Sequence, residues 1–139
     1  MKNYTVQTKI NKSIQEVFEA VIDNKKLGSY FVQQSSGPLK EGTTVIWHWT
    51  EYGDKPVKTK QIIANKKIVF VWGEDGPKQK QVTMNFEQID ERKSMISISE
   101  TGWDDSNESL QESYEHVSGW EFMSAGLKVF LEHGIDIRK

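Results

Sequence analysis

Ile96, Ile98 and Glu100 occupy alternate positions of one run, so a carboxylate is expected on the inward face of a strand, close to its end. An unpaired carboxylate out of water is costly and raises its own pKa. Glu100 is therefore expected to be paired, to be solvated at the mouth of a cavity, or to be poised as an acid or base. Pairing or solvation is the favoured expectation, because the sequence places no second acid–base group beside it. His48 alternates with Trp47 and Trp49 and so reads as solvent-facing, while His116 and His133 lie roughly five turns apart on a long helical segment. No His-x-x-x-His, paired aspartate, glycine-rich phosphate loop or Gly-x-Ser-x-Gly elbow occurs. Gly73, Gly76 and Pro77 read as a turn flanked by Glu74 and Asp75, whose charge would repel a phosphate. No catalytic residue, metal or cofactor is expected.

The second chemical signal is aromatic: the chain has five tryptophans, Trp47, Trp49, Trp72, Trp103 and Trp120. Strand parity points Trp47, Trp49, Phe70, Trp72, Met84, Phe86, Ile96 and Ile98 toward a helix carrying Trp120, Met123, Leu127 and Phe130, with Phe18 closing one end. Such a lining is mainly apolar, as small-molecule sites are, and Met84 and Met123 could adapt to varied ligand shapes. The same residues would equally fill a solid core. What tilts the reading toward a cavity is Gly119 and Gly126, seven apart in the helix. A helix-interior glycine costs about 1 kcal/mol against alanine, so a sheet or a ligand is expected to approach there.

The elements that position these residues are read from periodicity. Tyr4, Val6, Thr8 and Ile10 alternate as a half-buried strand. Ser13 and Glu16 form a capping box for a helix carrying Ile14, Val17, Phe18, Val21 and Ile22, which ends near Asp23 and Asn24. A second short turn or helix runs through Leu27 to Tyr30 and Phe31. Gln33 to Gly42 is rich in turn formers and could hold at most a short edge strand. Val45, Trp47 and Trp49 then share a strand face, with Tyr52 to Pro56 as a hairpin loop. Val57, Thr59, Gln61 and Ile63 alternate along the next strand, Asn65 to Lys67 is a tight connection, and Ile68, Phe70 and Trp72 follow. Val82, Met84 and Phe86 precede the Ile96 strand, joined to it across Asp90 to Lys93. Asp104 to Ser109 reads as the loop and cap before a helix expected over Tyr114 to Gly134. Lys55, Lys58, Lys60, Lys78 and Lys80 read as outward residues that solubilise two hairpins and protect an edge. Short hairpin connections preclude parallel pairing, so the expected fold is α+β, an antiparallel sheet with helices on one face.

At 139 residues with no cysteine and a formal charge of −2, the chain fits one domain spanning 1–139, without thiol chemistry or disulfides. Scattered lysines give no basic stripe, so nucleic acid is not an expected partner. The first ten residues lack the pattern of a signal peptide, and no apolar run approaches the ~20 residues of a membrane span. A cytoplasmic protein is expected.

The ordered set of motifs resembles the START-like, or helix-grip, superfamily, and within it the family named after the activator of the heat shock protein 90 ATPase. The resemblance rests on Ile10 through Ser13, Val17 and Phe18; on Gly42 before Val45, Trp47 and Trp49; on Ile68 to Trp72; on Ile96 to Trp103, which ends in Gly102-Trp103; and on Gly119-Trp120 in the last helix. It implies a curved antiparallel sheet wrapped around a long C-terminal helix, with two short helices after the first strand. It also implies a cavity between sheet and helix that accepts a lipid or other small apolar molecule in many relatives. On that basis the expected ligand-binding residues are Phe18, Trp47, Trp49, Phe70, Trp72, Met84, Phe86, Ile98, Glu100, Trp120, Met123, Leu127 and Phe130. The expected partner is a small hydrophobic or amphipathic ligand. The alternatives are a chaperone or other protein bound at the surface and, third, a cyclase-like or hydrolase-like enzyme using Glu100. The eukaryotic co-chaperones of the family carry an additional N-terminal domain, so direct activation of a chaperone ATPase is not expected of this chain.

Overall fold

The computed structural model describes residues 3–73, 76 and 78–139; the turn expected at Glu74, Asp75 and Pro77 and the first two residues lie outside the described residues. Strand β1 (Tyr4–Ile10) leads into helix α1 (Ile14–Ile22) and the single turn α2 (Asn24–Leu27). Ser13 Oγ caps the helix by accepting from the Glu16 amide and also donates to the Glu16 carboxylate. Asp23 ends α1 and caps α2, its carboxylate accepting from the Lys26 amide at 2.9 Å. Strands β2 (Gln34–Ser35), β3 (Thr44–Trp49), β4 (Gly53–Ile63), β5 (Lys67–Trp72), β6 (Lys80–Asp90) and β7 (Lys93–Thr101) follow, then helix α3 (Asn107–His133).

The seven strands form one antiparallel sheet in the order β1-β7-β6-β5-β4-β3-β2. The first strand crosses over to close the far side against β7, which places Tyr4 directly opposite Glu100. The core lies between the concave sheet face and the helices, and Val17, Trp47, Phe70, Met84, Ile98, Met123 and Leu127 are fully enclosed in it. Among the described residues, no helix is long and apolar enough to cross a membrane.

Three expectations are corrected. The segment Gly53 to Pro56 is already strand, because β3 and β4 pair as far as Trp49 opposite Gly53, so the reversal is confined to the residues between them. On β4 the register shifts between Thr59 and Gln61, so Lys60 is the extra residue of a bulge. A bulge reverses side-chain parity; Gln61 and Ile63 therefore face outward, and Ile62 packs on the core in their place. Helix α3 begins seven residues earlier than Tyr114, capped by Ser106, whose side chain accepts from the Ser109 amide.

The helix glycines also behave differently from the expectation. A Cβ at Gly119 would meet nothing within 4 Å, and that residue is exposed. A Cβ at Gly126 would lie 3.2 Å from the Tyr30 carbonyl oxygen and 3.7 Å from Ile137. What approaches α3 at Gly126 is thus the loop after α2 and the C-terminal tail, not the sheet, while Gly119 stands open. Gly119→Ala is expected to stabilise the protein by about 0.5–1 kcal/mol, the propensity gain alone. Gly126→Ala must displace a buried backbone carbonyl and is expected to destabilise; chemical denaturation of the two variants checks the opposite signs.

Candidate functional site

Glu100 has no exposed surface. Near the end of β7 it lies opposite Tyr4 on β1 and Val82 on β6. Four side chains from three other elements donate to its carboxylate. Tyr4 Oη donates to Oε1 at 2.6 Å, Trp120 Nε1 to Oε1 at 2.9 Å and Trp72 Nε1 to Oε2 at 2.8 Å. His116 Nδ1 lies 3.0 Å from both oxygens. Burial on its own would raise the carboxyl pKa. The hydrogen bond and charge attraction from His116, with the hydrogen bonds from Tyr4 and Trp72, outweigh it and hold the group below its ordinary value. Tyr4 is driven the other way, since burial and its bond to Glu100 both oppose loss of the phenol proton.

The surroundings fix this cluster in place. Gly102 has φ of 108°, a left-handed conformation that glycine tolerates, and a Cβ there would strike the Gln79 carbonyl at 2.7 Å. The chain bends at that point, and Trp103 folds back so that its Nε1 donates to the Glu100 carbonyl at 3.1 Å. The His116 ring meets Trp72 and Trp103 edge-on, at centroid separations of 5.7 and 5.1 Å. Lys80 corrects the expectation of an outward lysine. It is buried, its ammonium 4.9 Å from the Trp103 ring centroid and donating to the Lys78 carbonyl at 2.7 Å.

Beside the cluster opens a groove of about 1920 Å³, continuous with solvent, between the ends of β3 to β5, helix α3 and the C-terminal tail. Its apolar surface comes from Phe31, Trp49, Trp72, Trp120, Phe122 and Phe130. Gln33, Lys55, Lys78, Glu112, Glu115 and His116 supply polar groups. Arg138, on the tail, donates to the Phe31, Val32 and Gly28 carbonyls and to Asp136, closing one end of the groove. The Asp136 carboxyl is held down to about 2 by that guanidinium.

The thirteen residues expected to bind a ligand divide by depth. Trp49, Trp72, Trp120 and Phe130 line the groove. Glu100 lies beneath it, tied to Trp72 and Trp120. Trp47 and Phe70 form the next layer, Trp47 meeting Phe70, Phe31 and Trp72 at 5.4 to 6.1 Å in edge-to-face geometry. Those rings fill the space with one another. Met84, Ile98, Met123 and Leu127 are fully buried in the core, and Phe18 packs edge-on against Phe86 at 5.0 Å. His48, as expected, is on the opposite sheet face from Trp47 and Trp49, and it pairs with Asp54 at 2.6 Å.

Sequence reasoning missed Tyr4, Phe31, Lys80, His116 and Arg138 as members of this region. For His116 a signal was present: it stands four residues before Trp120, the spacing that puts two side chains on one helix face. Comparing it only with His133 hid that. Tyr4 could not be assigned without the register of β1 on β7.

The family described as Activator of Hsp90 ATPase homolog 1-like protein matches residues 11–132. The chain belongs to this family. Its helix-grip, START-like architecture is shared with solved structures. SSP2350 from Staphylococcus saprophyticus superposes with a TM-score of 0.84 at 26% identity, over 99% of this chain and 96% of that one. An Aha1 from Colwellia psychrerythraea, solved in solution as a dimer, gives 0.82 at 18% identity, over 96% and 98%. DynU16, from the dynemicin biosynthetic locus, gives 0.83 at 17%, over 96% of this chain and 48% of its own. No curated protein sequence matches the chain.

Because the Glu100 carboxyl titrates below its ordinary value of 4.5 in the folded protein, the native state binds fewer protons there than the unfolded chain. Its stabilising contribution is complete above that ordinary value and is lost as pH falls through the lower folded one. Glu100→Gln places an amide donor among four donors and is expected to cost about 3 kcal/mol near neutral pH. It should also flatten the acid limb of stability against pH, which denaturation at a series of pH values between neutral and strongly acid measures.

Proposed function

We propose that this family member is a non-catalytic binding protein that holds a small hydrophobic or amphipathic ligand in the groove between the sheet and α3. The observation that carries the reading is the row of rings Phe31, Trp49, Trp72 and Trp120 along one opening, with Trp49 and Trp72 partly exposed. Large apolar rings left accessible in a concave surface and rimmed by polar groups are the usual makings of a small-molecule site. The ligand's apolar body would lie on Trp49 and Trp72, and its polar end would meet Gln33, Lys55 or His116. Similar folds occur in an Aha1 and in a protein from a natural-product locus, so the fold by itself does not choose between roles.

Family membership favours a second reading, a module that docks on a chaperone through its outer surface. One labelled sample separates the two. Titration with a panel of fatty acids, sterols and naphthalenes is expected to shift the indole N–H resonances of Trp49 and Trp72, and Trp49→Ala to weaken binding about tenfold. A chaperone of the heat shock protein 90 class that moved only hairpin residues outside the groove, such as Lys58 and Lys60, with no small molecule moving the indoles, would replace the first reading by the second.

A further inference from the structure

The carboxylate under the groove determines which nitrogen of His116 faces outward. Glu100 is ionised near neutral pH, so its oxygens only accept hydrogen bonds, and the His116 nitrogen 3.0 Å from both of them, Nδ1, must carry a proton. The charge attraction to Glu100 belongs to the protonated ring; in the neutral ring Nε2 is left with its lone pair. Nε2 is on the side of the ring away from Glu100 and has no hydrogen-bond partner among the described residues. The ring cannot turn freely, held as it is between Trp72 and Trp103. His116 lines the groove, its side chain 28% exposed while Glu100 behind it is at 0%. A buried carboxylate, an imidazole fixed in one tautomer and an open aromatic surface thus stand in sequence from core to solvent.

We infer that His116 is a proton-accepting anchor in this groove and that its ligand carries a weakly acidic hydroxyl, phenolic or enolic, on a flat conjugated body. The inference rests on the groove being a ligand site and adds the atom that reads the ligand. The flat body would lie against Trp72 and Trp49, which brings a hydroxyl at its edge to Nε2. The hydroxyl donates its hydrogen to that lone pair. When the hydroxyl is acidic enough the O–H bond breaks as the Nε2–H bond forms, and the resulting imidazolium is balanced by Glu100. A carboxylate ligand suits the site less well. It would bring a full negative charge to a lone pair backed by Glu100, beside Glu112 and Glu115 on α3. Of the groove's cations, Lys80 is turned to the Lys78 carbonyl, the Trp103 ring and Glu112, 3.9 Å away, and Arg138 is held by Asp136 and the carbonyls of the loop after α2, leaving Lys55, Lys78 and Lys139. Tyr4, whose phenol also faces the cluster, stays protonated and donates its hydrogen bond to Glu100. Glu100 is here a positioning residue, fixing the tautomer of His116 without touching the ligand.

The test uses three probes of one shape on the whole chain near neutral pH: 1-naphthol, 1-methoxynaphthalene and 1-naphthoate. Binding is followed by tryptophan fluorescence, with nitrogen-15 spectra of labelled histidine. The naphthol is expected to bind roughly tenfold more tightly than its methyl ether, the worth of one hydrogen bond to a fixed acceptor. Free His116 is expected as the Nδ1–H tautomer, and its Nε2 resonance should move toward the protonated position with naphthol but not with the ether. His116→Gln, which keeps a donor for Glu100, should abolish the naphthol's advantage and leave the ether's affinity in place. Equal affinity of naphthol and ether would overturn the anchor while the groove reading stood. Tighter binding of naphthoate than of naphthol would overturn it too, by showing a protonated ring that donates. Failure of all three probes would remove the groove reading and this one together. The ether comparison and the tautomer are read on the unmodified chain, so they stand whether or not the variant folds.

Discussion

A carboxylate taken out of water has to recover from the protein the hydrogen bonds it gave up, and few arrangements in this molecule escape that requirement. Glu100 recovers them from a phenol, two indoles and an imidazole, all on other secondary-structure elements. Charge-assisted bonds of this kind are stronger than neutral ones, and with every acceptor position used the group stays ionised in a low-dielectric surrounding. The cost of breaking the set falls on all its members, since removing the carboxylate would leave buried donors unpaired.

The aromatic residues take their places from the same centre. Trp72 and Trp120 each turn an indole N–H inward to Glu100, which leaves their ring faces to meet each other at 5.3 Å and to form part of the groove wall. Trp49 is anchored separately, its Nε1 donating to the Phe31 carbonyl at 2.9 Å. That bond ties the end of β3 to the loop that Arg138 holds from the other side. The groove is thus shaped by polar attachments of apolar rings, with two sides meeting over the loop after α2.

The sheet was legible from the sequence because alternation reports burial directly: Tyr4 to Ile10, Val82 to Phe86 and Ile96 to Glu100 all face as their parity implies. It failed at Lys60, where one inserted residue reverses the pattern with no distinctive residue type to mark it. The inward carboxylate was legible for the same reason, but its partners were not. Tyr4 and His116 are 96 and 16 residues away from it, and only the crossing of β1 and the docking of α3 bring them near. Depth was likewise hidden. Period-two alternation says that Met84 and Trp72 share a face, yet not that one lies at the bottom of the core and the other at a solvent opening. The glycines of α3 could not be told apart because a missing side chain looks the same in sequence whether it admits a backbone carbonyl, as at Gly126, or stands open on the groove, as at Gly119.

The pairing of Tyr4 with Glu100 also bears on how the chain avoids error. Apolar alternation cannot distinguish the correct alignment of β1 on β7 from one displaced by two residues, since a two-step slide returns every greasy side chain to the inner face. Such a slide would set Val6 against Glu100 in place of Tyr4, and a methyl group would sit where an anion needs a donor. A single polar contact at the mouth of the strand pair thereby proofreads an alignment that hydrophobicity leaves degenerate.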